Sequence, residues 1–200
     1  MGSERVQQAK KFIVLSLFCA LSAINGFAWL MFDPAKKDLE KVFDPHFSTS
    51  QLTLLSSWQP IMYMVAAPFA TAALVKPDGL RTVMKVGCVL ELMGSTIKFL
   101  ALISPHHAFS LALLHVGQIL SACVSPIAIG TPAELSAVWF PEDQRARATG
   151  CAVLANNLGN GIAYLTVPAI ANAFGYSHVV MMEFLIAVIL ISLSWLFLPP

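Results

Sequence analysis

The stretch Thr131-Pro-Ala-Glu-Leu-Ser-Ala-Val-Trp-Phe-Pro-Glu-Asp-Gln-Arg-Ala-Arg-Ala-Thr-Gly-Cys-Ala-Val-Leu-Ala-Asn-Asn-Leu-Gly159 decides the fold. An apolar segment precedes it and a hydrophobic run rich in small residues follows. Between them lies a charged elbow, Pro141 to Arg147, flanked by Trp139 and Phe140. A chain that leaves a bilayer, turns in water and returns has this pattern, because Trp settles at headgroup level and arginines hold the cytoplasmic side.

Composition points the same way. Hydrophobic residues make up 57% of the chain and charged residues 12%, against roughly 45–50% and 25% in a soluble domain. A soluble fold could not hide that much apolar surface. The net charge of +1 offers no footprint for a nucleic-acid partner. Cys19, Cys88, Cys123 and Cys151 all fall inside apolar runs with no C-x-x-C pair. They read as small hydrophobes rather than a disulfide framework, and neither a metal site nor a cofactor is indicated.

Outward from the elbow, the chain divides into six apolar spans behind a short tail, residues 1–11. The first runs from Phe12 to Phe32, 21 residues after Arg5, Lys10 and Lys11. As a helix it is roughly 31 Å long, enough for a hydrocarbon core of ~30 Å. A cleaved signal peptide is the competing reading, with Ala20 and Ser22 at cleavage-like spacing; the run is long for one and five spans follow. Asp33-Pro34 ends the span, and 33–50 reads as a polar loop holding Pro45 and His46. The second span, 51–75, carries Trp58, Gln59, Pro60, Tyr63 and Pro68; such prolines are tolerated where neighbouring helices satisfy the freed backbone groups. In the turn from Lys76 to Arg81, Gly79 is expected to take the positive φ. Span three covers 82–103, Ser104 to His107 turn, and span four covers 109–130. Span five covers 147–171, Asn172 to His178 turn, and span six covers 179–198.

Loop charges orient the bundle. Arg5, Lys10, Lys11, Lys76, Arg81, Lys85, Arg145 and Arg147 lie on one side, and only Lys36, Lys37 and Lys41 on the other. Both ends are therefore expected in the cytoplasm. Six spans with both ends inside suit one half of a carrier built from inverted three-helix repeats. Spans one and four then correspond, and Asn25-Gly26 and Ser125-Pro126 read as paired interruptions, the pointer to a binding site at the midplane.

The block Trp139-Phe140-Pro141-Glu142-Asp143-Gln144-Arg145-Ala146-Arg147-Ala148-Thr149-Gly150-Cys151-Ala152, leading to Asn156-Asn157-Leu158-Gly159, resembles the major facilitator superfamily. Within it the likeness is to the feline leukaemia virus subgroup C receptor family and its disrupted-in-renal-carcinoma branch. Asn25-Gly26-Phe27-Ala28-Trp29, Trp58-Gln59-Pro60-Ile61, Gly79-Leu80-Arg81 and Gly117-Gln118 resemble the same family. The resemblance implies a twelve-helix uniporter or facilitator for small organic solutes, with choline, ethanolamine, haem or pyridoxine among those associated with the family. It implies that Trp29 belongs to an aromatic cage and that Gln118, Asn156 and Asn157 line the cavity. The sequence departs from the family in two respects. The superfamily loop D-R-x-G-R-R is here Lys76-Pro77-Asp78-Gly79-Leu80-Arg81, and spans seven to twelve lie outside these 200 residues.

On a helical wheel Ser22, Asn25 and Trp29 share one face. Trp29 could cover a quaternary ammonium with its ring or serve only as an interfacial anchor. His115, Gln118 and Ser125 fall on one side of span four; Gln118 suits either a polar solute or an interhelical hydrogen bond. His115 reads as a packing residue, with proton coupling as its sharper alternative. Ala148, Ala152, Ala155, Gly159 and Ala163 form a small-residue stripe for a neighbouring helix. Asn156 borders that stripe and Asn157 points about 100° further round, so only one of the two is expected in the cavity. Glu91 and Lys98 are expected to snorkel to opposite interfaces or to find partners, with a proton relay as the alternative for Glu91. Glu183 reads as interfacial.

The expectation is an all-α membrane protein, the N-terminal half of a major facilitator fold, in a plasma or lysosome-like membrane. It would move a small solute (a choline-like cation, a vitamin or haem) by alternating access. The substrate contacts would be Trp29, Gln118, Asn156, Asn157, Asn25, Gln59 and Tyr63. Asp78, Gly79, Arg81, Glu134, Arg145 and Arg147 would act at the cytoplasmic gate. Its partners would be the lipid bilayer, the solute, and a missing six-helix half or a second copy. A six-span protein that dimerises and a non-transporting fragment are the alternatives. An intramembrane enzyme ranks last, since no H-E-x-x-H, G-x-S-x-G or paired intramembrane carboxylate is present.

Overall fold

The structure is a computed structural model that describes residues 2–43, 47–104 and 107–198. Pro45, His46, Pro105, His106, Pro199 and Pro200, and the side chains of Arg5 and His107, lie outside the described residues. Among the described residues the fold is all helix: α1 (Gly2–Leu30), α2 (Lys36–Phe43), α3 (Thr49–Leu74), α4 (Gly79–Ile103), α5 (His107–Ala122), α6 (Ser125–Gly130), α7 (Pro132–Trp139), α8 (Glu142–Phe174) and α9 (Tyr176–Phe197). Among the described residues, four helical stretches are long and apolar enough to cross a membrane: the one from Gln8, which runs on through α2, then Gly79–Ile103, Phe109–Gly130 and Tyr176–Phe197. Helices α3 and α8 have 26 and 33 residues. They are long enough but more polar, α8 carrying Asn156, Asn157 and Asn160.

The joints differ from the expected ones in instructive ways. Residues 33–50 are not a plain loop. Asp33–Ala35 forms a 3-10 turn with proline at its start, and α2 follows with Leu39 and Phe43 buried. At the tight turn the left-handed residue is Asp78 (φ 57°), not Gly79. Gly79 is required for another reason: a Cβ there would lie 2.4 Å from the Leu74 carbonyl oxygen and 2.5 Å from that of Ala73. The elbow shrinks to Phe140-Pro141, because α8 already begins at Glu142. The turn expected over 172–178 is Gly175 alone, whose φ of 90° reverses the chain between α8 and α9.

The paired interruptions are not a pair. Span four does break, α5 ending at Ala122 and α6 starting at Ser125 with Pro126 in its first turn. Helix α1, by contrast, runs unbroken through Asn25-Gly26. Gly26 is there for contact, since a Cβ would lie 2.2 Å from the Asn156 carbonyl oxygen. Gly159 answers from α8, where a Cβ would meet the Ala23 oxygen at 1.9 Å. Ala148, Ala152, Ala155 and Ala163 continue that stripe, all buried against neighbouring helices. A second close crossing joins Gly94 of α4 and Gly117 of α5, each 2.7 Å from the other's oxygen by the same measure. Without a hydrophobic drive between helices in lipid, such close backbone packing is what holds them.

Two apolar clusters fill the bundle. One gathers Phe18, Leu21, Met84, Leu135, Phe140 and Leu190; the other gathers Phe32, Leu39, Leu55, Leu114, Tyr176 and Val180. Between the clusters, beside small buried residues such as Ala122 and Ala155, lie the buried polar side chains Asn25 on α1, Glu91, Ser95 and Lys98 on α4, Gln118 and Ser121 on α5, Asn156 on α8 and Glu183 on α9. The bundle thus carries a polar layer across its middle.

Candidate functional site

Prolines shape this layer by removing N–H groups, each leaving the carbonyl four residues earlier without its helical partner. Pro60 frees the Ser56 oxygen, and the Trp29 indole N–H donates to it at 2.9 Å. Pro126 frees the Ala122 oxygen, which accepts from Ser125 Oγ at 2.7 Å. Pro132 frees the Ala128 oxygen, which accepts from Ser22 Oγ at 3.3 Å. The indole is thus tethered by its edge, and its ring face stays available.

That ring forms one wall of a cavity of about 200 Å³ shared with Ala128, Ile129, Val153, Asn156, Asn157 and Asn160. Asn156 is buried and donates through Nδ2 to the Ser22 carbonyl at 2.9 Å, so it serves mainly to hold α8 to α1. Asn157 is exposed along the same wall. Both asparagines therefore reach the cavity, and it is Asn157 whose amide makes no hydrogen bond within the bundle. Asn160 was not anticipated from the sequence. Its Oδ1 is buried with no partner, an acceptor held ready at the cavity wall. The i, i+4 spacing of Asn156 and Asn160, which puts them on one face of α8, was the available signal. The site offers an aromatic face and carboxamides but no fixed charge of its own.

The other expected contacts lie elsewhere. Gln59 Nε2 donates to Asn25 Oδ1 at 3.1 Å, and Asn25 Nδ2 donates to the Ser121 carbonyl at 3.0 Å. This buried seam joins α3, α1 and α5. Gln118 Nε2 donates to the Ala28 carbonyl at 3.1 Å and its Oε1 accepts from Lys98 at 3.4 Å. Tyr63 is half-buried beside Gly130, outside the cavity. His115 turns away from Gln118 toward α3: Trp58 Nε1 donates to its Nδ1 at 3.0 Å, and its Nε2 meets Gln51 Oε1 at 2.7 Å. An indole N–H only donates, so Nδ1 is the bare nitrogen and Nε2 carries the proton. Asp33 accepts from Ser56 Oγ at 2.9 Å and faces Tyr164, placing one carboxylate close to the residue that holds Trp29.

Lys98 finds its partner on another helix, the second of its two expected readings, whereas Glu183 departs from expectation. Lys98 does not snorkel and Glu183 is not interfacial: they form an ion pair, both fully buried. Lys98 reaches α9 by lying across Gly117, whose absent side chain leaves room for its stem. Glu91 is equally buried and faces Glu183, so the paired intramembrane carboxylates that the sequence did not show are present, contributed by helices far apart in the chain.

At the elbow end, no ion pair joins the expected gate residues among the described ones. Asp78 and Glu134 are exposed, and Arg81 keeps a buried Nε without a partner. Arg145 Nε donates to the Phe140 carbonyl at 3.1 Å, closing the elbow. Arg147 lines a second cavity of about 540 Å³ with Phe12, Phe140, Asp143 and Gln144. Beside it Lys11 donates to Gln144 Oε1 at 2.8 Å and lies over the Phe140 ring.

Residues 12–200 match the Major Facilitator Superfamily. The chain is similar to the "Choline/ethanolamine transporter FLVCR1" of Mus musculus, 30% identical over 169 residues that cover 83% of this chain and 28% of that protein. It is similar to "Solute carrier family 49 member A3" of Xenopus tropicalis, 28% identical over 173 residues, 84% of this chain and 35% of that one. It is also similar to the "Uncharacterized MFS-type transporter C09D4.1" of Caenorhabditis elegans, 27% identical over 85% of this chain and 28% of the relative. The chain spans about a third of the length of these curated relatives, or less. An all-helical membrane bundle with a polar middle layer, matched over nearly its whole length, places the chain in the major facilitator superfamily, among relatives of the feline leukaemia virus subgroup C receptor branch.

Proposed function

We propose that this chain is the N-terminal six-span half of a carrier that moves a small organic cation by alternating access, with no chemical change to the solute. The spans are α1, α3, α4, the broken α5–α6, α8 and α9, with both ends of the chain in the cytoplasm of a plasma or lysosome-like membrane. The observation that carries this reading is the tethered indole of Trp29 facing three carboxamides in one cavity. A π face attracts a desolvated cation by about 2 kcal/mol or more, and uncharged amides bind without making release slow. Asp33 nearby adds a cation-attracting charge. The choline and ethanolamine in the name of the Mus musculus relative fit that chemistry, and a vitamin or haem fits it less well.

The cavity is walled from α1, α6 and α8. Its other side falls to a second six-helix half. A second copy of this chain is the alternative reading, favoured by the exposed apolar side chains Met64 and Phe69 on α3 and Leu158 and Leu165 on α8. The test is uptake of labelled choline into vesicles holding the full-length protein. Trp29→Ala is expected to lower kcat/KM tenfold or more, and Asn160→Ala to raise KM with the melting temperature unchanged. Uptake by Trp29→Ala with unaltered affinity would sink the proposal. Uptake by the 200-residue chain alone, as a dimer, would favour the second copy.

A further inference from the structure

Two carboxylates and one ammonium are buried together in the polar layer. Lys98 donates to Glu183 and, at 3.4 Å, to Gln118. That leaves Glu91, whose two oxygens accept no hydrogen bond, although Ser121, Glu183 and Lys98 all face it. The second oxygen of Glu183 and the hydroxyl of Ser121 are also without partners. A buried carboxylate with no donor among the side chains around it is among the least tolerable buried groups. Four unpaired polar atoms therefore meet in one place, and a single added proton resolves all of them. On one Glu91 oxygen it forms an O–H that donates to Glu183 Oε2, and the other Glu91 oxygen accepts from Ser121 Oγ. The net charge of the group then falls to zero.

The charges around Glu91 are few. From its own helix Lys98 and the Cys88 thiol face it. From α9 comes Glu183, with the Tyr176 hydroxyl in electrostatic reach of that carboxylate. From α5 come only Ser121 and Gln118, while His115 is turned toward α3. Among the described residues α1, α3 and α6 bring it no ionisable group.

We propose that Glu91, Glu183 and Ser121 form a proton-binding site, and that the carrier moves one proton with its solute through it. The coupling half rests on the transporter reading above; the site itself does not. Glu91 takes a proton from water on one side, forming the O–H bond, and returns it to water on the other. When the proton leaves, Lys98 faces two carboxylates and its long bond to Gln118 is the one given up. Gln118 Nε2 holds the Ala28 carbonyl, one residue before Trp29. The charge state of the cluster thereby reaches the cavity wall. A sodium ion fits less well, because it needs several oxygen ligands and would sit beside an ammonium.

Two measurements on the purified full-length protein separate the claims. In nanodiscs at neutral pH, infrared spectra with labelled glutamate should contain a protonated-carboxyl C=O stretch. Glu91→Gln should remove that band; its amide can mimic the neutral acid, so the variant should stay folded. Absence of the band in the native protein, or its persistence in Glu91→Gln, overturns the site. In proteoliposomes, labelled choline uptake should rise several-fold under an inward acid gradient, and Glu91→Gln should lose that response. Uptake indifferent to pH overturns the coupling, and so does uptake that follows a sodium gradient instead. No choline flux under any gradient refutes the transporter reading and the coupling with it, while the infrared band still decides the proton site.

Discussion

Replacing Gly159 by alanine tests whether α1 and α8 are held by direct backbone contact. The added Cβ would lie 1.9 Å from the Ala23 oxygen and 2.7 Å from its carbonyl carbon. An unstrained carbon–oxygen contact is about 3.3 Å, so the seam must open by roughly 1.4 Å at that point. Neither neighbour can yield locally, because the obstacle is helix backbone rather than the end of a flexible side chain. A gap near 1 Å forfeits roughly half of each dispersion contact across it. The seam carries Ala148, Ala152, Ala155 and Ala163 as well, which puts the effect at the upper end of overpacking, about 3 kcal/mol. Gly161, two residues on, is the internal control: a Cβ there meets nothing within 4 Å. Gly161→Ala should be neutral or should stabilise by about 0.5–1 kcal/mol, because alanine favours helix. The assay is thermal unfolding of the detergent-solubilised protein, where each kcal/mol is worth about 2–4 °C for a bundle of this size. Gly159→Ala should melt several degrees lower and Gly161→Ala no lower than the parent. Equal melting of the two variants would refute the close-contact reading of α1 and α8.

Lys98→Met alone should destabilise by about 3–5 kcal/mol by stranding Glu183, while Lys98→Met combined with Glu183→Met should recover most of the loss in the same unfolding assay. Additive losses would show that the pair is not coupled. Asp78→Gly should raise stability by up to about 1 kcal/mol by relieving a left-handed residue, whereas Gly79→Ala should lower it by about 1–3 kcal/mol against the Leu74 and Ala73 carbonyls; the opposite order would return the positive φ to Gly79. Pro60→Ala restores the N–H that bonds the Ser56 carbonyl and so competes with the Trp29 indole. Choline KM should rise while the melting temperature holds or climbs, and an unchanged KM would mean that the indole tether does not orient the ring.

The sequence made the helices legible because their signals are local. Apolar run length, charged elbows and the 3.6-residue period of the alanine stripe are all read within one segment. What it hid depends on a partner far along the chain. Glu183 is one turn past the expected start of its span and looks interfacial until Lys98, 85 positions earlier, is seen to meet it. Gly26 reads as a helix breaker because a glycine's local meaning is freedom, whereas its meaning here is the approach of Asn156. Gly79 and Asp78 exchanged roles for the same reason: glycine was needed for space, so the neighbouring aspartate took the unusual φ. Asn160 is marked in the sequence only by its place one turn beyond Asn156, and its unpartnered oxygen shows only once α8 is packed.

The polar layer divides into groups committed to the backbone and groups left free, and prolines decide much of that division. Trp29, Ser125 and Ser22 each fill a carbonyl opened by Pro60, Pro126 or Pro132. Gln118 fills another near the end of α1, where the helix runs out of N–H groups. Bonds of this kind can be exchanged for others without breaking a helical hydrogen bond, so helices joined by them can shift while each stays intact. The glycine contacts between α1 and α8 and between α4 and α5 have no such freedom, since their backbones touch. The geometry therefore favours α1–α8 and α4–α5 as rigid pairs, with Trp29–Ser56, from α1 to α3, and Gln118–Ala28, from α5 to α1, as the exchangeable links. If the chain is the carrier half proposed above, the free groups, Asn157 and the Asn160 oxygen, are the ones left to meet the solute, and the committed ones determine when it can enter.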